Sequence, residues 1–145
     1  MLFRSTADGW KTLTFARTPP LPSYLIAFAV GPFETVAVPG TRVPTRVITC
    51  QGQSHLAGVT IEATPRILGA LERWFGMPYP FAKLDLIAVP EFAYGAMENP
   101  GLITFRDDNL LLDPASATMG QRRSNAGVIA HELAHMWFGD LVTMA

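Results

Sequence analysis

An α+β fold is predicted for this chain of 145 residues. Three observations predict it. Through about residue 50, short apolar runs alternate with Pro- and Gly-containing turn signals, the pattern of successive β-strands. After Gly52 the apolar spacing becomes helical, with Ile67, Leu68, Leu71, Trp74 and Phe75 on one face. Towards the other end, SNAGVIAHELAHMWFG combines a Ser N-cap candidate, good helix formers and a terminal glycine.

The elements follow in order. Residues 11–18 set Leu13 and Phe15 against Thr12 and Thr14, as a strand does. TPPLPS (18–23) is a connector, because its prolines deny it a helix. YLIAFAVG (24–31) reads as a buried strand and FETVAV (33–38) as another, stopped by Pro39-Gly40. TRVPTRVITC (41–50) is a further strand, which Pro44 assigns to an edge or a bulge. From Ser54 to Phe75 the chain is helical, with Pro65 expected in a first turn capped by Thr64 and Gly76 ending the helix. KLDLIAVP (83–90) is a strand, EFAYGAMENPG (91–101) a loop and LITFR (102–106) a strand that DDNLLLD (107–113) is expected to extend. PASATMGQRRS (114–124) reads as a surface loop. A helix then runs from about Ser124 to Phe138, with Val128, Leu133, Met136 and Trp137 packing into the core.

Composition narrows the function classes. Hydrophobic residues make up 49% and charged residues 16%, below the roughly 25% charge usual in globular proteins. The net charge of −1 offers no electrostatic basis for binding nucleic acid or an anionic membrane. The single cysteine, Cys50, excludes an intrachain disulfide framework and reads as a small core residue. The first ten residues lack a signal-peptide apolar region, and YLIAFAV (24–30) is too short to span a bilayer. No membrane segment is therefore expected, and a cytoplasmic location is favoured. Oligomeric state cannot be read from the sequence.

HELAH (131–135) carries chemistry. Four positions on an α-helix bring His131 and His135 onto one face, about a turn apart. Two imidazole nitrogens can then reach one Zn²⁺ ion at about 2.0–2.1 Å each. Glu132 points roughly 100° round the helix, beside the ion. From there it can take a proton from an attacking water as general base. His55 reads as a solvated residue at a helix start.

A second motif, GAMEN (95–99), lies upstream of HELAHMWFGDLVTM (131–144). Together with PPLPSYLIAFAVGPFE and WFGMPYPFAKLDLIAVPEFAYGAMENPGLITFR, they closely resemble the zinc aminopeptidases that include aminopeptidase N, over nearly the whole chain. The resemblance implies a thermolysin-like catalytic domain with a mixed sheet and an active-site helix, truncated, over residues 46–145. It implies that residues 1–45 are the last strands of an N-terminal β domain. It further implies His131 and His135 as zinc ligands, with a third ligand beyond Ala145, and Glu132 as general base. Glu98 would bind the free α-amino group of a peptide substrate, since a carboxylate accepts an ammonium but not an internal amide. Gly95 and Ala96 would let the substrate backbone approach, with Met97 in the same segment, and Asn99 would shape the loop. On this reading the chain is an internal fragment, inactive by itself. A non-catalytic truncated product or binding module, and a thermolysin-like endopeptidase, are the alternatives.

Overall fold

The computed structural model describes residues 3–142, so the extreme ends of both expected domains lie outside the described residues. Among the described residues there are two sheets and three α-helical segments, and the α+β expectation holds. β1 (Phe3–Ala7) and β2 (Trp10–Thr14) form an antiparallel hairpin. Its turn residues Asp8 and Gly9 have φ of 50° and 78°, the left-handed pair that a two-residue Asp-Gly turn uses. The second sheet has five strands in the order β3-β4-β5-β7-β6. These are β3 (Phe33–Ala37), β4 (Thr45–Cys50), β5 (Leu84–Val89), β6 (Ala96–Met97) and β7 (Leu102–Arg106). β4, β5 and β7 are mutually parallel, whereas β3 and β6 run antiparallel at the two edges. β3 thus shares a sheet with β5 and β7, and that sheet spans the expected division at residue 45.

Parallel neighbours need a crossover, and α1 (Gly58–Phe75) supplies it between β4 and β5. α1 packs against α3 (Met119–His135). The core lies between these helices and the sheet, around Val47, Leu68, Leu84, Leu86, Ile103, Phe105, Ile129 and Leu133. Phe75 stacks on Trp137 with ring centroids 5.1 Å apart, and Tyr79 meets Trp137 edge-on at 6.0 Å. Of the residues expected to pack from the last helix, Leu133, Met136 and Trp137 are buried, and Val128 packs against the core partly buried. Cys50 is half-buried at the end of β4.

Several expectations are corrected. Residues 24–31 are not a strand. Ser23–Leu25 form a 3-10 turn, and the following residues carry no ladder, leaving Ile26, Phe28 and Val30 exposed. Apolar, β-prone composition sets an extended tendency, but a strand also needs a partner, and none lies among the described residues. Pro44 marks no edge. It precedes β4, which is interior, and its carbonyl accepts from the Leu84 amide. Pro65 lies well inside α1, which is entered through a 3-10 turn at Ser54–Ala57. Thr64 is consequently no cap, and its hydroxyl donates back to the Thr60 carbonyl at 2.7 Å. Burial of Val59, Thr60, Thr64 and Leu68 against the core holds the helix through the proline. Trp74 is exposed, off the buried stripe of α1. DDNLLLD does not extend β7, because the chain turns at once into α2 (Asp107–Leu110).

The last helix begins at Met119, earlier than Ser124. Thr118 caps it: its Oγ1 accepts from the Gln121 amide at 3.2 Å, and Gln121 Oε1 accepts from the Thr118 amide at 2.9 Å. This reciprocal pair is a capping box, legible in TMGQ but obscured there by Gly120. Thr118→Ala should lower stability by about 1 kcal/mol, read as a lower denaturant midpoint at unchanged slope. α3 ends at His135; Met136 and Trp137 form a turn, and Phe138 makes an isolated bridge to Val142.

Candidate active site

α3 carries three of the expected residues. The Nε2 atoms of His131 and His135 are 3.2 Å apart and their rings cross nearly at right angles. Two nitrogens each about 2.0–2.1 Å from one tetrahedral ion would stand about 3.3 Å apart, so the pair has the spacing of a metal clamp. His135 Nδ1 lies 3.3 Å from the Phe138 carbonyl. A carbonyl only accepts, so the proton belongs on Nδ1 and the lone pair of Nε2 faces His131. Gly139 makes this fit: its φ is +135°, and a Cβ there would approach His135 Nδ1 to 3.2 Å.

Glu132 is buried, and ligand-type atoms of Glu98, Glu132 and His135 lie within 4.8 Å of one another. Burial first, and then the charge of Glu98, push the Glu132 carboxyl up to about 7, against the opposing pull of His135. Asp140, also buried, is pushed up to about 7 by burial and by Glu98. Neither of its carboxylate oxygens has a hydrogen-bond partner. Acids gathered in a poorly solvated place disfavour their own ionisation, and a cation among them relieves that cost. Two imidazoles at clamp spacing beside such acids therefore fit a divalent metal with a preference for nitrogen and oxygen donors.

The GAMEN segment reaches the site from the sheet. Ala96 and Met97 are β6, the edge strand beside β7, and Glu98 follows directly. A cleft of about 340 Å³ joins Gly95, Ala96 and Asn109 to Gly127, Val128, His131 and Glu132. The structure thus brings Gly95, Ala96, Glu98, Glu132, His131 and His135 into one neighbourhood. Met97 and Asn99 lie elsewhere, lining an apolar cleft of about 370 Å³ with Ile26, Phe28, Phe92 and Leu102. Asn99 is buried. Its Nδ2 donates to the Leu25 carbonyl at 3.1 Å, and its Oδ1 accepts from Thr104 Oγ1 at 3.0 Å. Those bonds tie the loop to β7 and to the 3-10 turn. Sequence reasoning missed Asn109 and Asp140. Asn109 was hidden in DDNLLLD, where no metal or catalytic spacing marks it. Asp140 adjoins the motif, but only its burial makes it unusual.

Residues 59–145 match the model described as the Peptidase family M1 domain. The chain belongs to this family. Among similar proteins, the puromycin-sensitive aminopeptidase of Caenorhabditis elegans is 45% identical over 141 residues, covering 96% of this chain and 15% of its own length. Aminopeptidase 2 of Candida albicans is 44% identical over 134 residues, 92% of this chain and 14% of the relative. Glutamyl aminopeptidase of Bos taurus is 43% identical over 141 residues, 97% of this chain and 15% of the relative. This family M1 chain therefore spans about 15% of the length of the curated relatives it matches. Among the described residues, no helix is long and apolar enough to cross a membrane.

Proposed function

We propose that the chain is part of a zinc-dependent aminopeptidase that removes the N-terminal residue from peptides. The observation that carries this reading is the paired Nε2 atoms of His131 and His135, with ligand-type atoms of Glu132 and Glu98 gathered beside His135. Names of the related family M1 proteins support it. His131 and His135 hold the metal, and a third ligand comes from outside these 145 residues. Zn²⁺, when bound, supplies a Lewis acid that polarises the scissile carbonyl and acidifies the attacking water.

Glu132 receives the proton of that water and returns it to the leaving amine. Burial and neighbouring acids make it a stronger base than a solvated glutamate, which suits proton transfer near neutral pH. Glu98 receives the substrate's α-ammonium group by a charge-assisted hydrogen bond. That contact accounts for the exopeptidase restriction: an internal amide brings no charge to Glu98 and leaves it unpaired. Gly95 and Ala96 let the substrate backbone lie along the free edge of β6, in the manner of an added strand. With the amine at Glu98, the peptide runs towards Gly95.

In this reading residues 46–145 are the first part of a thermolysin-like catalytic domain. Residues 1–45 are the end of an N-terminal β domain, with β3 contributed across the division.

Two comparisons in the full-length enzyme test the assignment. An N-acetylated peptide should resist cleavage while its free counterpart is cut; equal rates would favour an endopeptidase. Glu98→Gln should raise KM for free peptides by about tenfold or more, since a charge-assisted bond of roughly 1.5–3 kcal/mol is weakened. An unchanged KM and kcat would remove Glu98 from the site.

A further inference from the structure

Asn109 has no part in the motifs, yet it touches both sides of the cleft. Its Nδ2 donates to the Gly95 carbonyl at 2.9 Å. The same carbonyl accepts from the Arg106 amide at 3.0 Å. A Cβ built on Gly95 would meet Asn109 Nδ2 at 3.1 Å, so the amide lies directly against this residue. Asn109 is itself tied to the active-site helix, because its carbonyl accepts from Asn125 Nδ2 at 2.9 Å. Asn125 is buried in α3 and also donates to Thr60 Oγ1 and to the Leu110 carbonyl, locking α1, α2 and α3 together.

This clamp determines where the free edge of β6 points. Ala96 is opposite Phe105 in the antiparallel register, and the bond from Arg106 to Gly95 makes Ala96–Phe105 a non-hydrogen-bonded pair. The N–H and C=O of Ala96 consequently turn away from β7, towards the open edge. The Gly95–Ala96 peptide is planar, so holding the Gly95 oxygen also holds the Ala96 N–H. An edge strand of two residues has little pairing of its own to hold that plane.

We infer that Asn109 is a positioning residue for peptide substrates: its amide, anchored to α3 through Asn125, aligns the Gly95–Ala96 edge with the zinc-site helix so that the peptide backbone beyond the scissile bond can pair there. This rests on the aminopeptidase reading above. It requires the contribution to grow with substrate length. An aminoacyl anilide has no backbone to lay along Gly95 and Ala96, whereas a tripeptide does.

The test uses Asn109→Leu, close in size but without a donor, in the full-length zinc-loaded enzyme. The tripeptide should lose about tenfold in kcat/KM, mainly through KM, while the anilide loses less than about threefold. Amide exchange in residues 95–106 should accelerate in the variant, independently of activity. Asn109→Asp keeps the shape but faces the Gly95 carbonyl with a second acceptor, and should reproduce the length-dependent loss if the leucine variant folds poorly. Equal losses on both substrates, or none on either, would overturn the role given to Asn109 while leaving the aminopeptidase reading in place. A wild-type enzyme that cleaves neither substrate would overturn that reading and this inference with it.

Discussion

Glu132→Gln in the full-length enzyme should lower kcat about a thousandfold while the zinc content stays at the wild-type level. Glutamine keeps the shape and hydrogen-bonding reach of the side chain but cannot take a proton from water. Glu132 is buried in the helix that carries the paired His131 and His135. Substrate binding should change little, because the proposed function gives the α-ammonium contact to Glu98. Metal analysis of the purified variant alongside single-turnover kinetics gives the decision. Loss of zinc together with activity would make Glu132 a ligand, which its place in the Glu98–Glu132–His135 group makes a pointed question. Retained turnover would remove it as the base.

Removing both cations from Asp85 should destabilise the fold by about 3 kcal/mol, at the lower end of the range for breaking a buried ion pair. Asp85 is in β5, at the centre of the sheet, and is 2% exposed. Arg46 forks onto it, with Nε and a terminal nitrogen at 2.8 and 2.7 Å from its two oxygens, and Lys83 Nζ is 2.7 Å away. Lys83 also donates to the Gly101 carbonyl. Arg46 and Lys83 are nearly half exposed, so solvent screens part of their attraction. Burial raises the Asp85 carboxyl, but the hydrogen bonds and charges of Arg46 and Lys83 outweigh it and the net shift is downward. The sign follows. A carboxyl lowered by folding contributes stability that is complete above its unfolded value of about 3.9, and that is lost as pH falls through the folded value. Denaturant unfolding of the Arg46→Met, Lys83→Met double variant should therefore show its full deficit at neutral pH and a smaller one at about pH 3. A deficit independent of pH would mean that lost side-chain packing, and not the charge, accounts for it.

The divide between what was legible and what was not runs along specific residues. His131, Glu132 and His135 were readable because helical spacing is a local property: four positions return a side chain to the same face whatever surrounds it. The helix ending at Phe75 and the body of the last helix from Ser124 were readable for the same reason, as were the strands at 33–37, 84–89 and 102–106, whereas the first turn of the last helix, from Met119, was read as loop. Asp8-Gly9 and TMGQ carried equally local signals, for a tight hairpin turn and a capping box, which the reading did not use.

Non-local pairing was not legible. YLIAFAVG has strand composition without a strand partner among the described residues, and Pro44 looked like an edge beside a strand that is interior. Asp85 sits in an ordinary-looking LDLIAV, and only parallel neighbours on both sides bury it. Spacing within the sequence thus determined the helix that pairs His131 with His135, the mixed α+β class and the motif residues. The approach of Glu98 to Glu132, the burial of Asp140 and the grip of Asn109 on Gly95 were decided only by folding. They join segments far apart in the chain, whose meeting depends on the sheet order and on the packing of α1 against α3.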